Sequence, residues 1–98
     1  MNQFILSPEA KSSLKNIRTY SLKNFGSKRT KTYLQSIYER FKKLAKTPSA
    51  GTIRTDLNTA YYSDFIGSHT IYYRIKTTHI DIIDVLHQSM EPSKHISN

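Results

Sequence analysis

The sequence predicts an α+β fold in which an N-terminal strand and a helical hairpin precede a small, mostly antiparallel sheet. Apolar residues recur at three- and four-residue steps through most of the first half of the chain, which is the spacing of amphipathic helices. The second half contains three short runs with the alternating or continuous apolar pattern of strands. The resulting order, β-α-α-β-β-β, places both helices on one face of the sheet and leaves the other face free or grooved.

The first helix follows a short strand, Phe4-Ile5-Leu6. Ser7 is a suitable N-cap and Pro8 suits the first helical position, so the helix is expected to begin there. It is expected to end at Gly26, a residue common just after helices. Its core-facing stripe consists of Ala10, Leu14, Ile17 and Ser21.

The second helix is expected to begin after Ser27 and to end at Thr47-Pro48. The link between the helices is so short that they must form an antiparallel hairpin. Residues 48–52 read as a loop because of their Pro, Ser and Gly content. The core-facing stripe of this helix consists of Leu34, Ile37, Phe41, Leu44 and Ala45.

Three strands are predicted in the remainder, over residues 61–66, 69–75 and 80–86. Short connections make sequential strands antiparallel. The middle strand alternates, and the last has the nearly continuous apolar character of a central strand. One face of the middle strand carries Ile71, Tyr73 and Ile75, and the other carries Thr70, Tyr72 and Arg74.

Length and composition indicate one domain, residues 1–90, followed by a polar C-terminal tail, residues 91–98, that is expected to fray. The absence of cysteine excludes disulfides and thiolate chemistry. The four histidines have no i, i+4 pairing and no cysteine beside them, so no metal site is expected. The three glycines form no phosphate-binding loop, and no cofactor is expected. No apolar run is long enough to span a membrane, and a cytoplasmic location is expected.

The positive charge is concentrated in the helical part of the chain. Eleven of the fifteen basic residues lie in the first 46 positions beside only Glu9 and Glu39, so this part carries a net charge of +9. Such a charge favours a polyanionic partner, either a nucleic acid or an acidic protein. The alternative is a lysine-rich helix surface that is merely solvated.

Several short motifs resemble the ParE branch of the RelE/ParE toxin superfamily. They are Leu6-Ser7-Pro8-Glu9-Ala10, Tyr33, Phe41-Lys42-Lys43-Leu44-Ala45, Arg54-Thr55-Asp56-Leu57, Gly67-Ser68-His69, Ile71-Tyr72-Tyr73-Arg74 and Leu86-His87-Gln88-Ser89-Met90-Glu91-Pro92. The resemblance implies the toxin of a bacterial type II toxin–antitoxin pair. Such a toxin inhibits DNA gyrase by binding rather than by catalysis, and the C-terminal segment of a cognate antitoxin neutralises it in a hetero-oligomer. No direct sequence-specific binding of nucleic acid is implied.

Two positions depart from the family pattern. Members often carry arginine where this chain has Tyr62 and Ser89. If those arginines contact gyrase in relatives, this chain lacks two charge-assisted contacts of about 1.5 to 3 kcal/mol each. Retention of gyrase inhibition is therefore left open.

Two sets of residues are candidates for partner contacts. The expected antitoxin groove consists of Leu14, Ile17, Ile37, Phe41, Tyr72 and Arg74. The expected gyrase contacts are Arg54, Asp56, His87, Gln88, Ser89 and Met90. The alternatives are structural: the helical stripes are core, Arg54 and Asp56 form an internal pair, and His87 is a hydrogen-bonded residue at a strand end.

Two other functions are considered. Ribonucleases of the RelE branch cut messenger RNA on the ribosome, which requires a base, an acid and cations for the phosphate. Here Gln88 follows His87, the tail has no tyrosine, and the central strands offer only Arg74 and Lys76 as cations, so the catalytic set looks incomplete and no catalytic residue is assigned. The third possibility is an eroded toxin that is retained as an antitoxin partner.

Overall fold

A five-stranded mixed sheet carries a helical hairpin on one face in the computed structural model, which describes residues 3–57 and 60–96. The sheet order is β1-β5-β4-β3-β2, with β1 parallel to β5 and the other neighbours antiparallel. The predicted α+β fold class is confirmed. The strands are β1 Phe4–Leu6, β2 Thr52–Ile53, β3 Tyr61–Ile66, β4 His69–Ile75 and β5 Ile80–His87.

The helical part, α1 Pro8–Lys46, reverses direction at Gly26, where φ is +84° and ψ is 174°. An unbroken helix of 39 residues would be about 58 Å long, yet the longest dimension of the molecule is 37 Å. Ser21 and Thr30, nine residues apart, are joined by a buried hydrogen bond of 2.8 Å between their hydroxyls. Residues 8–25 and 27–46 therefore form the first and second arms of the predicted hairpin.

The first arm begins where the sequence predicts. The Ser7 Oγ accepts a hydrogen bond from the Ala10 N–H at 2.9 Å, and Pro8 occupies the first helical position. The same hydroxyl donates to the Ile83 carbonyl at 2.6 Å, while the Ser7 N–H donates to the Ile82 carbonyl at 3.0 Å. One residue thus caps the helix and ties its start to β5.

The main core lies between the hairpin and the sheet and is formed by apolar side chains of both arms, β4 and β5. Tyr73 is completely buried there, and its hydroxyl donates to the Pro48 carbonyl at 2.6 Å and accepts from the Gly51 N–H at 3.0 Å. Burial raises the pKa of Tyr73 to about 12, so the hydroxyl keeps its proton. This side chain fixes the segment that follows the second arm.

The predicted loop over residues 48–52 is only partly correct. Pro48–Ala50 is a 3₁₀ turn, and Thr52–Ile53 forms β2, which pairs with β3 at the edge of the sheet. A two-residue strand has no periodicity that a sequence pattern could reveal. β2 forms because the outer edge of β3 offers backbone N–H and C=O groups that need hydrogen-bond partners, and not because the side chains of β2 favour a strand.

A second, smaller core covers the opposite face of the sheet. Tyr61, Tyr72, Leu86 and Ile96 are its buried members. Ile96 belongs to the tail and is 4% exposed, and Pro92–Lys94 forms a 3₁₀ turn that brings the chain back to the sheet. The expectation of a frayed tail is therefore wrong for residues 91–96, because one apolar residue in a polar segment finds a site on the sheet; residues 97 and 98 lie outside the described part.

The turn at Gly26 gives a stability prediction. Its φ and ψ lie in a region that is almost restricted to glycine, and a Cβ built there would meet no atom within 4 Å. Gly26→Ala should therefore lower the free energy of unfolding by about 1 to 3 kcal/mol through backbone strain alone. Urea unfolding measures this, with the exposed Lys23→Ala as the control. Equal midpoints for Gly26→Ala and the wild type would contradict the account.

Candidate functional site

A groove of about 1010 Å³, the hairpin groove, lies between the hairpin and one end of the sheet. Both arms line it, together with the turn between β3 and β4, the end of β5 and the residue Met90. The hairpin reversal brings the arms together at this place. The side chains that define its character are Tyr20, Phe25, Lys28, Arg29, Tyr33, His69 and His87.

The rim of the hairpin groove combines exposed aromatic rings with cations. Tyr20 and Phe25 are 65% and 53% exposed, and their rings lie 6.5 Å apart in an edge-to-face arrangement. The guanidinium of Arg29 lies 5.6 Å from the centre of the Phe25 ring, and Lys28 lines the same rim. Large exposed apolar side chains beside positive charge are typical of a surface that binds an apolar and acidic partner.

The inner wall of the groove is a polar cluster that links three elements. The Tyr33 hydroxyl of the second arm lies 2.6 Å from Nδ1 of His69 in β4 and 3.2 Å from the Ile66 carbonyl oxygen. The Tyr33 ring also packs on Gly67, where φ is +56° and an added Cβ would lie 2.7 Å from that ring. The His69 ring meets the His87 ring edge-on, with centroids 5.3 Å apart. The cluster holds the second arm against the end of the sheet.

Burial decides the charge state of this cluster. It lowers the pKa of His69, and the neighbouring His87 lowers it further. It also raises the pKa of Tyr33 above its usual range. At neutral pH the cluster therefore contains a neutral imidazole and a neutral phenol that are already hydrogen-bonded to each other, which is the arrangement of a structural link.

A second depression, of about 400 Å³, lies on the opposite face of the sheet and is called the sheet pocket below. Its most exposed apolar side chain is Phe65 at 70%. The Arg54 guanidinium donates to both carboxylate oxygens of Asp56, at 2.9 and 2.7 Å, and lies 5.5 Å from the centre of the Tyr72 ring. Hydrogen bonding to Arg54 lowers the pKa of Asp56, so the pair stays charged. Gln88, Met90 and Pro92, which follow β5, also line the sheet pocket.

The six residues of the expected antitoxin groove do not form one surface. Leu14, Ile37 and Phe41 are buried in the main core, and Ile17 reaches only the edge of the hairpin groove. On the other side of the sheet, Tyr72 is buried in the smaller core. Arg74 lies on that same face, 5.5 Å from the Tyr61 ring, and its buried Nε has no hydrogen-bond partner among the described residues. The helical stripes are core, as the structural alternative expects.

The residues that do line the groove were missed because the sequence reading followed the core-facing stripe. Tyr20 falls outside that stripe, at a position where an amphipathic helix normally carries a polar residue, whereas Phe25 follows Ser21 by four residues and continues the stripe to the last residue of the arm. A large aromatic side chain on the solvent side of the helix and another at its end were the available signals. Phe65 was missed because it lies inside a predicted strand, although its alternation with Tyr61 and Ser63 assigns it to the outer face.

The expected gyrase contacts are divided between the two sites. Arg54, Gln88 and Met90 meet in the sheet pocket, and Asp56 is bound by Arg54. His87 lines the hairpin groove, and its Nδ1 lies 2.7 Å from the Ser89 Oγ and accepts from the Ser89 N–H at 3.1 Å. Met90 borders both depressions.

No group of three or more potential metal ligands comes together in residues 3–57 and 60–96. Within the same ranges, no helix has the combined length and apolar character needed to cross a lipid bilayer.

The polar cluster gives a prediction of pH dependence. A histidine whose pKa is lower in the folded chain binds protons more weakly there, so acid favours unfolding. The stability that His69 contributes is fully present at pH values above 6.5, its ordinary pKa. It should be lost as the pH falls from 6.5 through the lower pKa that His69 has in the folded chain. Unfolding free energies measured between about pH 7.5 and pH 5 should therefore decline more steeply for the wild type than for His69→Gln. Replacing the exposed, non-titrating Gln35 by Ala is the control and should keep the wild-type slope, while a wild type no steeper than His69→Gln would contradict this interpretation.

Comparison with known proteins agrees with this geometry. The family model described as "ParE toxin of type II toxin-antitoxin system, parDE" matches residues 4–92. Toxin ParE1 of Caulobacter vibrioides is 32% identical over 96 residues, which cover 98% of this chain and 99% of the relative. A solved structure titled "Chromosomal ParDE TA system from P. aeruginosa" has a TM-score of 0.76 at 18% identity and covers 89% of this chain and 96% of its own, which supports the fold. The chain belongs to the ParE toxin family of type II toxin–antitoxin systems.

Proposed function

We propose that this chain is a toxin that inhibits DNA gyrase by binding it, and that a cognate antitoxin neutralises it by occupying the hairpin groove. The observation that carries the proposal is a pair of depressions, each lined by exposed aromatic and charged groups, in a member of a toxin family. The two depressions lie on opposite faces of the sheet. Target and antitoxin are therefore assigned separate sites.

The antitoxin is assigned to the hairpin groove because of its chemistry. Tyr20 and Phe25 offer exposed rings for apolar side chains, and Lys28 and Arg29 offer cations for carboxylates. An amphipathic segment with acidic residues matches both features. The net charge of +9 on residues 1–46 should accelerate association with such a segment, and salt should slow it.

Gyrase is assigned to the sheet pocket, where three of the six expected contacts meet. Phe65 is an exposed aromatic side chain beside the Arg54–Asp56 pair, and aromatic residues next to arginine are common at the centres of protein interfaces. Tyr62 lies on the other side of the sheet, where its ring stacks on Tyr73 at 5.5 Å. The departure from the family pattern at position 62 is thus outside the proposed contact surface.

A supercoiling assay with purified gyrase tests the target. The wild-type chain should lower supercoiling of relaxed plasmid, and Phe65→Ala should raise the half-inhibitory concentration by about tenfold or more, the effect of losing an interface anchor. Ile5→Ala is the matched control, because Ile5 is also an exposed apolar strand residue but lies on β1 at the opposite edge of the sheet. Equal potency of Phe65→Ala and Ile5→Ala would sink the assignment of the pocket.

Two other outcomes would replace the proposal. Cleaved transcripts on translating ribosomes, with unchanged gyrase activity, would identify a ribosome-dependent endoribonuclease. Inactivity in both assays, with intact antitoxin binding, would identify an eroded toxin that is retained as an antitoxin partner.

Calorimetric titration with the cognate antitoxin tests the hairpin groove. The double variant Tyr20→Ala/Phe25→Ala should weaken binding by about 100-fold, because two exposed aromatic anchors are lost. Leu22→Ala and Ile53→Ala remove exposed apolar side chains outside the groove and should leave the affinity within about threefold of the wild type. A double variant that binds as tightly as these controls would disprove the site.

A further inference from the structure

The outer surface of the hairpin carries cations that neither partner site uses. Lys31, Lys42, Lys43 and Lys46 of the second arm are exposed and line neither depression. In the described part of the chain, ion pairs engage only Arg40 and Lys42 among the basic residues of the hairpin. The Lys42 pair, with Glu39, spans 3.4 Å between side chains that are 65% and 73% exposed, so it neutralises little of the charge.

Three of these lysines form a stripe along the second arm. At about 100° per residue, Lys31, Lys42 and Lys46 fall within an arc of about 60°, with Gln35 between them. They extend over about 22 Å of helix, at 1.5 Å per residue. Tyr38, the neighbouring aromatic residue, packs its ring against Phe4 and Phe41. The stripe therefore presents hydrogen-bond donors and positive charge on an extended surface.

The first arm adds further positive charge to the outer surface of the hairpin. Lys11, Lys15, Arg18 and Lys23 are exposed there, and they also lie outside the two depressions. Residues 1–46 carry a net charge of +9, and the rest of the chain carries a net charge of −1, so that the total is +8. The chain is thus polarised, with its positive charge on the helical side.

We propose that this outer hairpin surface binds the phosphate backbone of duplex DNA without sequence preference. Lysine and glutamine side chains are donors to phosphate oxygens, and a row of lysines along 22 Å matches a line of backbone charges better than it matches a protein surface, which would need apolar anchors. The two most exposed apolar side chains of the hairpin arms, Tyr20 and Phe25, lie instead in the groove, whereas Tyr38 beside the stripe is 40% exposed and its ring is held against Phe4 and Phe41. Cations that neutralise phosphates release counterions, and this release supplies the binding free energy.

Binding to DNA would also raise the local concentration of the toxin near an enzyme that works on DNA. This consequence rests on the proposed inhibition of gyrase, whereas the binding itself does not. The assay below contains no gyrase, so its result and that of the supercoiling assay can fail independently.

Fluorescence anisotropy with the purified full chain and labelled 30-base-pair duplexes of two unrelated sequences tests the inference. At 50 mM NaCl the two sequences should be bound with equal affinity. A plot of the logarithm of the association constant against the logarithm of the salt concentration should have a slope of about −3 to −4, as expected for contacts with three or four phosphates. Lys31→Gln/Lys46→Gln should reduce the magnitude of that slope by about 2. Glutamine is a good helix former, so the arm should remain folded, which thermal unfolding checks.

The matched control removes the same charge from the other half of the chain. Lys76→Gln/Lys94→Gln should keep the wild-type slope, because neither lysine lies on the hairpin. No binding at 50 mM NaCl, equal losses for the two double variants, or a clear preference for one sequence would overturn the inference. Tighter binding of labelled poly-glutamate than of DNA, with the same loss in Lys31→Gln/Lys46→Gln, would show instead that the surface is a site for acidic protein.

Discussion

The chain reversal at Gly26 is the constraint on which the other features depend. The backbone conformation at Gly26 lets both arms cover the same face of the sheet, so that one core serves two helices. The same turn brings the first arm, with Tyr20 and Phe25, and the second arm, with Lys28 and Arg29, together as the two sides of one groove. It also brings Tyr33 within hydrogen-bond distance of His69. The backbone conformation of the single residue Gly26 therefore both stabilises the fold and forms the main groove of the molecule.

The division of apolar residues between core and surface explains where partners can bind. The regular stripes of both arms are used up in packing against the sheet, so they leave no groove of their own. The three most exposed aromatic side chains of the described residues, Tyr20, Phe25 and Phe65, border the two depressions on opposite faces. Charged groups stand beside each of them, namely Lys28 and Arg29 in the groove and the Arg54–Asp56 pair in the pocket. A surface that is mostly polar thus keeps its most exposed rings where a partner can cover them.

Local patterns predicted the elements well, because each is fixed by its own residues. Ser7 and Pro8 start the first arm, the alternation of β4 assigns Tyr73 and Tyr72 to opposite faces, and both results agree with the structure. The strand β2 and the docking of Ile96 could not be predicted, since each depends on a backbone edge or an apolar site offered by distant residues. Arg54, Gln88 and Met90, which the sequence offers as gyrase contacts, line one pocket, whereas Tyr20, Phe25, Lys28 and Arg29 of the hairpin groove were not among the predicted site residues. Contacts between distant residues, such as Tyr33 with His69, leave no periodic signal.

The central claim is that antitoxin and gyrase occupy opposite faces of this small sheet, one at Phe25 and the other at Phe65. Site-specific photo-crosslinking tests it most directly, because both phenylalanine rings are exposed and can carry a benzoyl group that points into solvent or into a bound partner. The probe at position 25 should capture the antitoxin, and the probe at position 65 should capture gyrase. Capture of the antitoxin from position 65 and of gyrase from position 25 would contradict it.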